Sequence, residues 1–228
     1  MASIEGKLQQ VRDRIAAACA AAQRPVQSVT LLAVGKTFGA DAVRAAAAAG
    51  QRAFGENYVQ EALDKIDALA DLRAGLEWHL IGPLQSNKTR DVAAAFDWVH
   101  SIDRLKTAER LSAQRPADLP PLQVCLQVNL DGEASKSGVA PEDLPALARA
   151  VAALPRLRLR GLMSIPAPRA GAAAQREPHR RLRQLFDALK ADGLVLDTLS
   201  MGMSDDLEAA VAEGATIVRV GSAIFGQR

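Results

Sequence analysis

The sequence contains few cysteines and few aromatic residues. Two of its 228 residues are cysteine, and phenylalanine, tryptophan and tyrosine together make up 4%. Cys19 and Cys125 lie far apart in apolar stretches and have no metal-ligand spacing, so the pattern indicates neither a disulfide framework nor a metal centre. We expect two buried free thiols, which fit a reducing, cytoplasmic location.

The sequence also lacks a strong charge of one sign and any long apolar run. Its 28 basic and 26 acidic residues give a formal net charge of +2, so we expect no nucleic-acid partner and no membrane partner. No apolar run approaches the roughly 18 residues typical of a membrane span. Residues 1–10 contain neither the basic nor the apolar region of a secretory signal, so we expect none.

The chain does contain a regular alternation of two patterns. Short apolar runs, typical of buried strands, alternate with longer stretches of helical periodicity. The runs lie at residues 29–34, 52–54, 77–81, 98–101, 122–129, 158–165, 198–201 and 216–220. The helical stretches between them lie at residues 41–49, 57–71, 87–95, 103–114, 142–154, 175–190 and 205–213. An amphipathic helical pattern of about six turns precedes them, with Ile4, Leu8, Val11 and Ile15 at helical spacing.

This alternation predicts a single (β/α)₈ barrel with an extra N-terminal helix, over residues 1–228 as one domain. In βαβ units a helix follows every strand, and eight runs are enough to close a barrel. The alternative is an open doubly wound sheet, which usually has fewer strands and a Gly-rich first turn. The first run instead continues into Gly35, Lys36 and Thr37, and the strand count favours the barrel.

Three features mark expected helix ends. Gly50 follows a helical stretch, as a C-terminal capping glycine does. Asn57 and Gln60 have the spacing of a capping box. Ser204 precedes two aspartates, which favour the positive end of a helix dipole.

Polar residues gather where the predicted strands end, and a barrel of this kind carries its chemistry on the loops that follow there. The residues at these strand ends are Lys36, Thr37, Glu56, Asn57, His79, Gly82, Ser101, Asn129, Met163, Ser164, residues 201–204, Arg219, Gly221 and Ser222, and most of them are polar. The set contains no group of three histidine or carboxylate ligands, so we expect no zinc site. It is suited to a small anionic ligand.

Lys36 is notable because it ends a strand that looks buried. A lysine at a barrel rim can extend its ammonium group to solvent without any chemical role. Partial desolvation near another cation, however, leaves a lysine amine unprotonated and able to attack a carbonyl carbon. Imine chemistry is therefore our hypothesis for Lys36.

The last run supplies a second feature. Loops after the seventh and eighth strands commonly hold phosphate in this fold. Gly221 allows main-chain N–H groups to approach an anion, and Ser204 and Ser222 carry hydroxyl donors. Together with Lys36, they indicate a phosphorylated carbonyl compound as the ligand. His79 is a single histidine in a strand, and we assign it a role in shaping the site, not in acid–base catalysis.

Seven sequence blocks resemble those of a known family, the pyridoxal phosphate homeostasis proteins, which bind pyridoxal 5′-phosphate (PLP) on an alanine racemase-like barrel of fold type III. The resemblance spans essentially the whole chain. The blocks are LAVGKT at residues 32–37, FGENY at 54–58, WHLIGPLQSNK at 78–88, SKSG at 135–138, GLM at 161–163, LSMGMSDD at 199–206 and VRVGSAIFG at 218–226. Members usually carry serine before the lysine, where this chain has Gly35, so a hydroxyl beside the attachment point is lost and the loop is expected to be looser.

The resemblance implies that Lys36 holds PLP as a Schiff base. It also implies that Ser204, Gly221 and Ser222 hold the phosphate and that Arg219 faces the pyridine nitrogen. The further residues expected to bind the cofactor are Asn57, His79 and Ser164. Lys136, in the SKSG block, is the expected secondary amine.

The role that the resemblance implies is PLP homeostasis, in which the protein keeps PLP bound and transferable to apo-enzymes without robust catalysis. An arginine at the ring nitrogen weakens PLP as an electron sink, and the strand–helix units leave no residues for the extra β-domain that supplies a tyrosine base in alanine racemases. The single tyrosine, Tyr58, is expected in the first turn of a helix.

We expect the protein to be a monomer. Its expected partners are PLP and, transiently, apo-enzymes. A PLP-dependent racemase or lyase and an aldolase-type barrel that binds a phosphorylated sugar stay open as alternatives.

Overall fold

The computed structural model describes residues 3–132 and 137–226. Eight parallel strands form a closed barrel in sequence order, and β8 pairs with β1 to close it. The strands are β1 Thr30–Val34, β2 Ala53–Glu56, β3 Glu77–Leu80, β4 Trp98–Ile102, β5 Leu122–Gln127, β6 Leu157–Met163, β7 Thr198–Ser200 and β8 Ile217–Val220. The predicted barrel is therefore confirmed.

Helices follow the strands and cover the outside of the barrel. They are α1 Ile4–Ala21, α2 Ala40–Ala48, α3 Val59–Ala68, α4 Thr89–Ala95, α5 Leu105–Gln114, α6 Leu144–Ala152, α7 Ala172–Ala191, α8 Leu207–Ala212 and α9 Ser222–Phe225. No helix in the described ranges is long and apolar enough to cross a membrane.

Two of the expected local features differ in the structure. The first strand ends at Val34, and Lys36 lies in an exposed turn instead of ending a buried strand. The capping box is wrong, because Tyr58 is the N-cap of α3 and makes no side-chain cap bond, while Gln60 Nε2 donates to Asp64 Oδ1 at 3.1 Å. The expected C-terminal cap at Gly50 is confirmed by its φ of +86°, which favours glycine.

The extra N-terminal helix packs against α8 and α9, at the junction of the last strand–helix unit and the first strand. Its apolar stripe buries Leu8, Val11, Ile15 and Cys19. The hydroxyl of Ser3 accepts a hydrogen bond from Gly6 N at 3.1 Å and caps its first turn. The helix therefore supports the loops that follow β7 and β8.

The apolar core has two parts. The larger lies between strands and helices, and the smaller fills the barrel interior with Leu32, Val34, Ala53, Ile81, Trp98, Cys125, Met163 and Ile217. Both cysteines are free and buried, as predicted. Burial raises the pKa of the Cys125 thiol to about 12, so it stays protonated and unreactive at neutral pH.

Candidate functional site

The loops that follow β7 and β8 form a cradle of small polar groups. Ser204 Oγ lies 3.4 Å from Ser222 Oγ. Gly221 is the N-cap of α9, and a Cβ atom there would lie 3.0 Å from the carbonyl oxygen of Val34, so a side chain at this position would be crowded by β1. The first N–H groups of a helix have no intrahelical acceptor and carry partial positive charge. Two hydroxyls and these N–H groups suit an anion such as phosphate.

The Ser204 loop is held from two sides. Arg14 on α1 donates from Nη2 to the Ser204 carbonyl oxygen at 2.9 Å and forms a bidentate pair with Glu208. Asp206 Oδ1 accepts from Met203 N at 2.7 Å, and its Oδ2 lies 2.8 Å from His179 Nε2. Burial alone would raise the pKa of Asp206, but these hydrogen bonds lower it below its ordinary value. The loop therefore has a fixed, ionised anchor, and sequence reasoning missed the part that Arg14 plays.

Arg219, on the inward face of β8, is buried with 4% of its surface exposed. Its Nη1 donates to Ser200 Oγ at 2.8 Å and its Nη2 donates to the Ser164 carbonyl oxygen at 2.8 Å. Burial lowers its pKa to about 10, so it is still charged at neutral pH. The guanidinium group is thus fixed in the barrel interior below the strand ends.

A chain of hydrogen bonds runs from Arg219 through the barrel. His100 Nδ1 lies 2.7 Å from Ser200 Oγ, and His100 Nε2 lies 2.9 Å from His79 Nδ1. His79 Nε2 then lies 3.4 Å from Glu77 Oε2, longer than an ordinary hydrogen bond. Burial lowers the pKa of both imidazoles, and Arg219 and His79 lower that of His100 further. Both rings are therefore neutral at pH 7.

The charges at the two ends decide the direction of this chain. Ser200 Oγ accepts from Arg219, so its own proton is free to point to His100 Nδ1. Neutral His100 then carries its proton on Nε2 and donates to His79, whose remaining proton faces Glu77. Each donor points away from the cation and towards the carboxylate, which is the electrostatically favoured order. Sequence reasoning missed His100 and Ser200, although each lies at an inward position of its strand.

The turn that carries Lys36 is held by a buried ionic cluster. Lys65 Nζ on α3 donates to the Gly35 carbonyl oxygen at 2.7 Å, to Glu56 Oε1 at 2.8 Å and to Glu61 Oε1 at 2.6 Å. Glu61 Oε1 also accepts from Thr37 N at 2.6 Å. The residues on both sides of Lys36 are therefore tied to one lysine and one glutamate, neither of which the sequence analysis singled out.

Glu56 and Gly35 fit closely within this cluster. Glu56 is fully buried, and burial raises its pKa to about 7 despite the neighbouring Lys65. A Cβ atom on Gly35 would lie 2.8 Å from Glu56 Oε1. The absence of a side chain at Gly35 thus leaves room for the carboxylate beneath the turn. Instead of a loose loop, the structure has a main chain bonded at Gly35 and at Thr37.

Asn57 and Ser164 line a cavity of about 240 Å³ between the carboxyl ends of β2, β3, β5 and β6. Asn57 Oδ1 and Ser164 Oγ are buried, and neither atom has a hydrogen-bond partner in the described part of the chain. Buried polar atoms without partners are costly, so they are suited to receive a polar ligand. Since the Ser164 carbonyl also accepts from Arg219, this cavity adjoins the guanidinium group.

Two of the predicted positions stand apart from this arrangement. His79 lies inside the barrel, stacks on Trp98 at 5.2 Å and lines a cavity at the opposite, amino-terminal mouth. A chain of hydrogen bonds through His100 and Ser200 connects it to Arg219. Lys136 lies outside the described residues. Within the described ranges, no group of three or more histidine, cysteine or acidic residues is arranged to hold a metal ion.

Comparison with known proteins gives matches over the whole chain. The family described as alanine racemase, N-terminal domain, matches residues 7–228. The pyridoxal phosphate homeostasis protein of Pseudomonas aeruginosa is 64% identical over 228 residues, covering 100% of this chain and 97% of that protein. The protein of the same name from Escherichia coli K12 is 56% identical over 229 residues, covering 100% and 98%. The structure of PipY from Synechococcus elongatus PCC7942 with PLP bound is 42% identical, with a TM-score of 0.87, and covers 98% of this chain and 100% of that chain.

Proposed function

The chain belongs to the family of pyridoxal phosphate homeostasis proteins, and we propose that it binds PLP as a Schiff base on Lys36 and makes it available to apo-enzymes. The observation that carries the proposal is the closure of the barrel between β1 and β8. Ala33 on β1 pairs with Val220 on β8, so the turn after β1 lies beside Gly221. The two are so close that a Cβ atom on Gly221 would lie 3.0 Å from the carbonyl oxygen of Val34. A lysine and a phosphate cradle thus share one edge.

The residues at this edge fit the parts of PLP. Ser204, Ser222 and the N–H groups that follow Gly221 supply donors for the phosphate. The buried Asn57 and Ser164 side-chain oxygens offer unpartnered hydrogen-bonding atoms in the adjoining cavity. When bound, PLP supplies an aldehyde for imine formation and a ring that withdraws electrons. The side-chain amine of Lys36 would hold PLP covalently, with the aldehyde oxygen and the two amine hydrogens released as one water molecule.

We further propose that the protein is a carrier without robust catalysis. Arg219 is charged and can only donate, so a ring nitrogen facing it stays unprotonated and the ring is a weak electron sink. The hydrogen bonds to Ser200 Oγ and to the Ser164 carbonyl oxygen hold the guanidinium group of Arg219 in place. Tyr58 is 58% exposed at the N-cap of α3, which does not suit it for proton transfer inside the barrel. A cytoplasmic location and a monomeric state stay predictions.

Reduction with borohydride after loading with PLP tests the attachment. We expect a visible absorption band that borohydride bleaches and a label that peptide mapping finds on Lys36. Lys36→Ala should lose the band, whereas Lys106→Ala, which changes an exposed lysine on α5, should keep it. A label found mainly on Lys136 or Lys88 overturns the assignment. Racemisation or transamination of amino acids at an ordinary enzymatic rate, roughly 1–1000 per second, overturns the carrier role.

A further inference from the structure

A cavity of about 880 Å³ lies at the amino-terminal mouth of the barrel, opposite the edge that carries Lys36. Its floor is formed by buried residues of the barrel interior, among them His79, Trp98 and Ile217. Its wall contains five arginines from four parts of the chain: Arg12, Arg52, Arg115, and the pair Arg158 and Arg160 on β6. Guanidinium groups that share one cavity repel each other, so this arrangement is unfavourable unless anionic groups balance it.

Three of these arginines donate hydrogen bonds to main-chain carbonyl oxygens. Arg12 donates to the carbonyl oxygen of Ala49 at 3.1 Å, and Arg52 donates to that of Ala47 at 2.8 Å. Arg115 is 3% exposed, and its three hydrogen bonds run to main-chain carbonyl oxygens at 2.7 to 2.9 Å. Carbonyl oxygens fix the direction of a guanidinium group, but they carry no formal charge to balance it.

The acidic groups at the cavity are too few to balance the remainder. Asp97 is paired with Arg73, which lies outside the cavity lining, at 2.9 Å, and Arg160 is paired with Asp197 through two contacts of 2.8 Å. Asp97 and Arg160 are thus each balanced by a residue outside the lining. The other charged residues of the lining are four arginines and one carboxylate, that of Glu77. The cavity therefore has an excess of positive charge although the whole chain has a net charge of only +2.

The floor adds an aromatic surface. The Arg160 guanidinium carbon lies 4.7 Å from the centre of the Trp98 ring, and the His79 ring stacks on the same tryptophan with planes 8° apart. The rim is open, since Arg52, Arg158 and Glu77 are exposed. An apolar aromatic floor below an open rim of cations favours a small molecule that carries several negative charges on a compact organic body.

We propose that the amino-terminal mouth is a second binding site, separate from the edge around Lys36, and that it binds a small organic polyanion. Bidentate recognition by guanidinium groups favours carboxylate or phosphate oxygens in such a ligand. The site does not depend on PLP chemistry, and the amine of Lys36 takes no part in it.

Calorimetric titration of the PLP-loaded protein with citrate and, separately, with benzene-1,3,5-tricarboxylate tests the proposal. Loading with PLP blocks the phosphate cradle, so a polyanion that still binds must bind elsewhere. We expect saturable binding of at least one probe below about 10 mM. The double variant Arg52→Glu/Arg158→Glu should weaken the binding of the probe at least fivefold. The neutral double variant Arg52→Gln/Arg158→Gln should weaken it by an intermediate factor, and it replaces the charge-reversing variant in the test if charge reversal disturbs folding. Trp98 lies on the floor, so its fluorescence should change on binding and Trp98→Phe should abolish that change.

Arg90→Glu/Arg104→Glu is the matched control, since it makes the same change in net charge at two exposed arginines outside the cavity lining. It should keep the affinity within twofold. Absence of saturable binding for both probes, or equal weakening by the two charge-reversing pairs, overturns the proposal. Binding seen in PLP-free protein but absent after PLP loading places the polyanion in the phosphate cradle and overturns it as well. Arg52→Glu/Arg158→Glu should also weaken the binding of the probe in a Lys36→Ala background, which separates this test from that of the Schiff base.

Discussion

Lys65 Nζ lies 2.7 Å from the carbonyl oxygen of Gly35, the residue before Lys36. The same ammonium group is paired with Glu56 and Glu61, and Glu61 accepts from Thr37 N on the other side of Lys36. A helix residue nearly thirty positions along the chain therefore fixes the turn that carries Lys36. The turn needs this support, because Thr37 has a φ of +66°, which is uncommon for a residue with a branched side chain.

The first prediction concerns this buried cluster. Lys65→Met leaves Glu56 buried without its cation, and breaking a buried pair in this way costs about 3 to 5 kcal/mol. We expect a loss of that order in the free energy of unfolding, measured with urea. Lys65→Met/Glu56→Gln should recover part of it, because the uncompensated carboxylate is removed. A loss below about 1 kcal/mol in Lys65→Met would contradict the cluster.

The second prediction concerns the pH dependence of stability. The pKa of Glu56 is raised from 4.5 to about 7 by burial, so the folded chain binds more protons at this site than the unfolded chain does between these values. The free energy of unfolding contributed by Glu56 therefore falls as the pH rises from about 5 to about 8, by at most about 3 kcal/mol. The buried neutral histidines contribute with the opposite sign, because their pKa values are lowered.

The measurement isolates Glu56 by difference. Urea unfolding of the wild type and of Glu56→Gln, at four pH values from 5 to 8, should show the wild type losing stability relative to the variant as the pH rises. The histidine contributions cancel in this difference. A difference that does not change with pH, or that changes in the other direction, would show that Glu56 is ionised throughout the range.

The third prediction concerns the chain from Arg219 to Glu77. The order of donors places the proton of both imidazoles on Nε2, with both rings neutral at pH 7 because burial lowers their pKa values. Nitrogen chemical shifts from NMR distinguish the two tautomers directly.

Ser200→Ala removes the hydroxyl between Arg219 and His100. It should lower the free energy of unfolding by about 1 to 3 kcal/mol, because two buried groups lose their partner. Ser101→Ala, which removes a buried hydroxyl bonded to the Gly82 carbonyl oxygen at 2.7 Å, is the control and should leave both tautomers unchanged. An Nδ1 proton on His79 would reverse the direction of the chain.

The barrel was predictable from the sequence because its strands are buried on both faces and form apolar runs. The runs at residues 77–81 and 216–220 agree with β3 and β8 within one residue. The turn after β1 was not predictable in detail, because the conformation at Thr37 depends on Glu61. The apolar periodicity of α3 does not show that Lys65 is buried, since its burial arises from contacts with Gly35 and Glu56.

The candidate site was predictable only in part, for similar reasons. Gly221 and Ser222 follow the last strand and carry a recognisable pattern. The pair His100 and Ser200 does not, because the two residues are one hundred positions apart and meet only when the barrel closes. The arginines of the amino-terminal mouth come from four separate parts of the chain, and only Arg158 and Arg160, both on β6, are neighbours in the sequence.

The last prediction concerns the electronics of the site through Arg219. In the wild type the guanidinium group donates to Ser200 and to the Ser164 carbonyl, so it presents only positive charge to a ring nitrogen. Arg219→Glu should let that nitrogen protonate, which makes PLP a better electron sink. We expect amino-acid-dependent changes in the absorbance of the loaded protein to become faster by about tenfold or more, the factor given by 1.4 kcal/mol in an activation barrier.

Arg219→Gln is the matched control, because it removes the positive charge and the fixed guanidinium without supplying a carboxylate. Both variants lose the guanidinium donors to Ser200 and Ser164, so both should be less stable than the wild type and should hold PLP more weakly. Arg219→Glu should lose more stability than Arg219→Gln, because its carboxylate is buried without a cation. Only Arg219→Glu should accelerate the reaction with amino acids when occupancy is matched by absorbance. If Arg219→Glu and Arg219→Gln react at the rate of the wild type under full loading, Arg219 does not face the ring nitrogen. If both accelerate equally, loss of the cation, not protonation of the nitrogen, controls the reactivity of the cofactor.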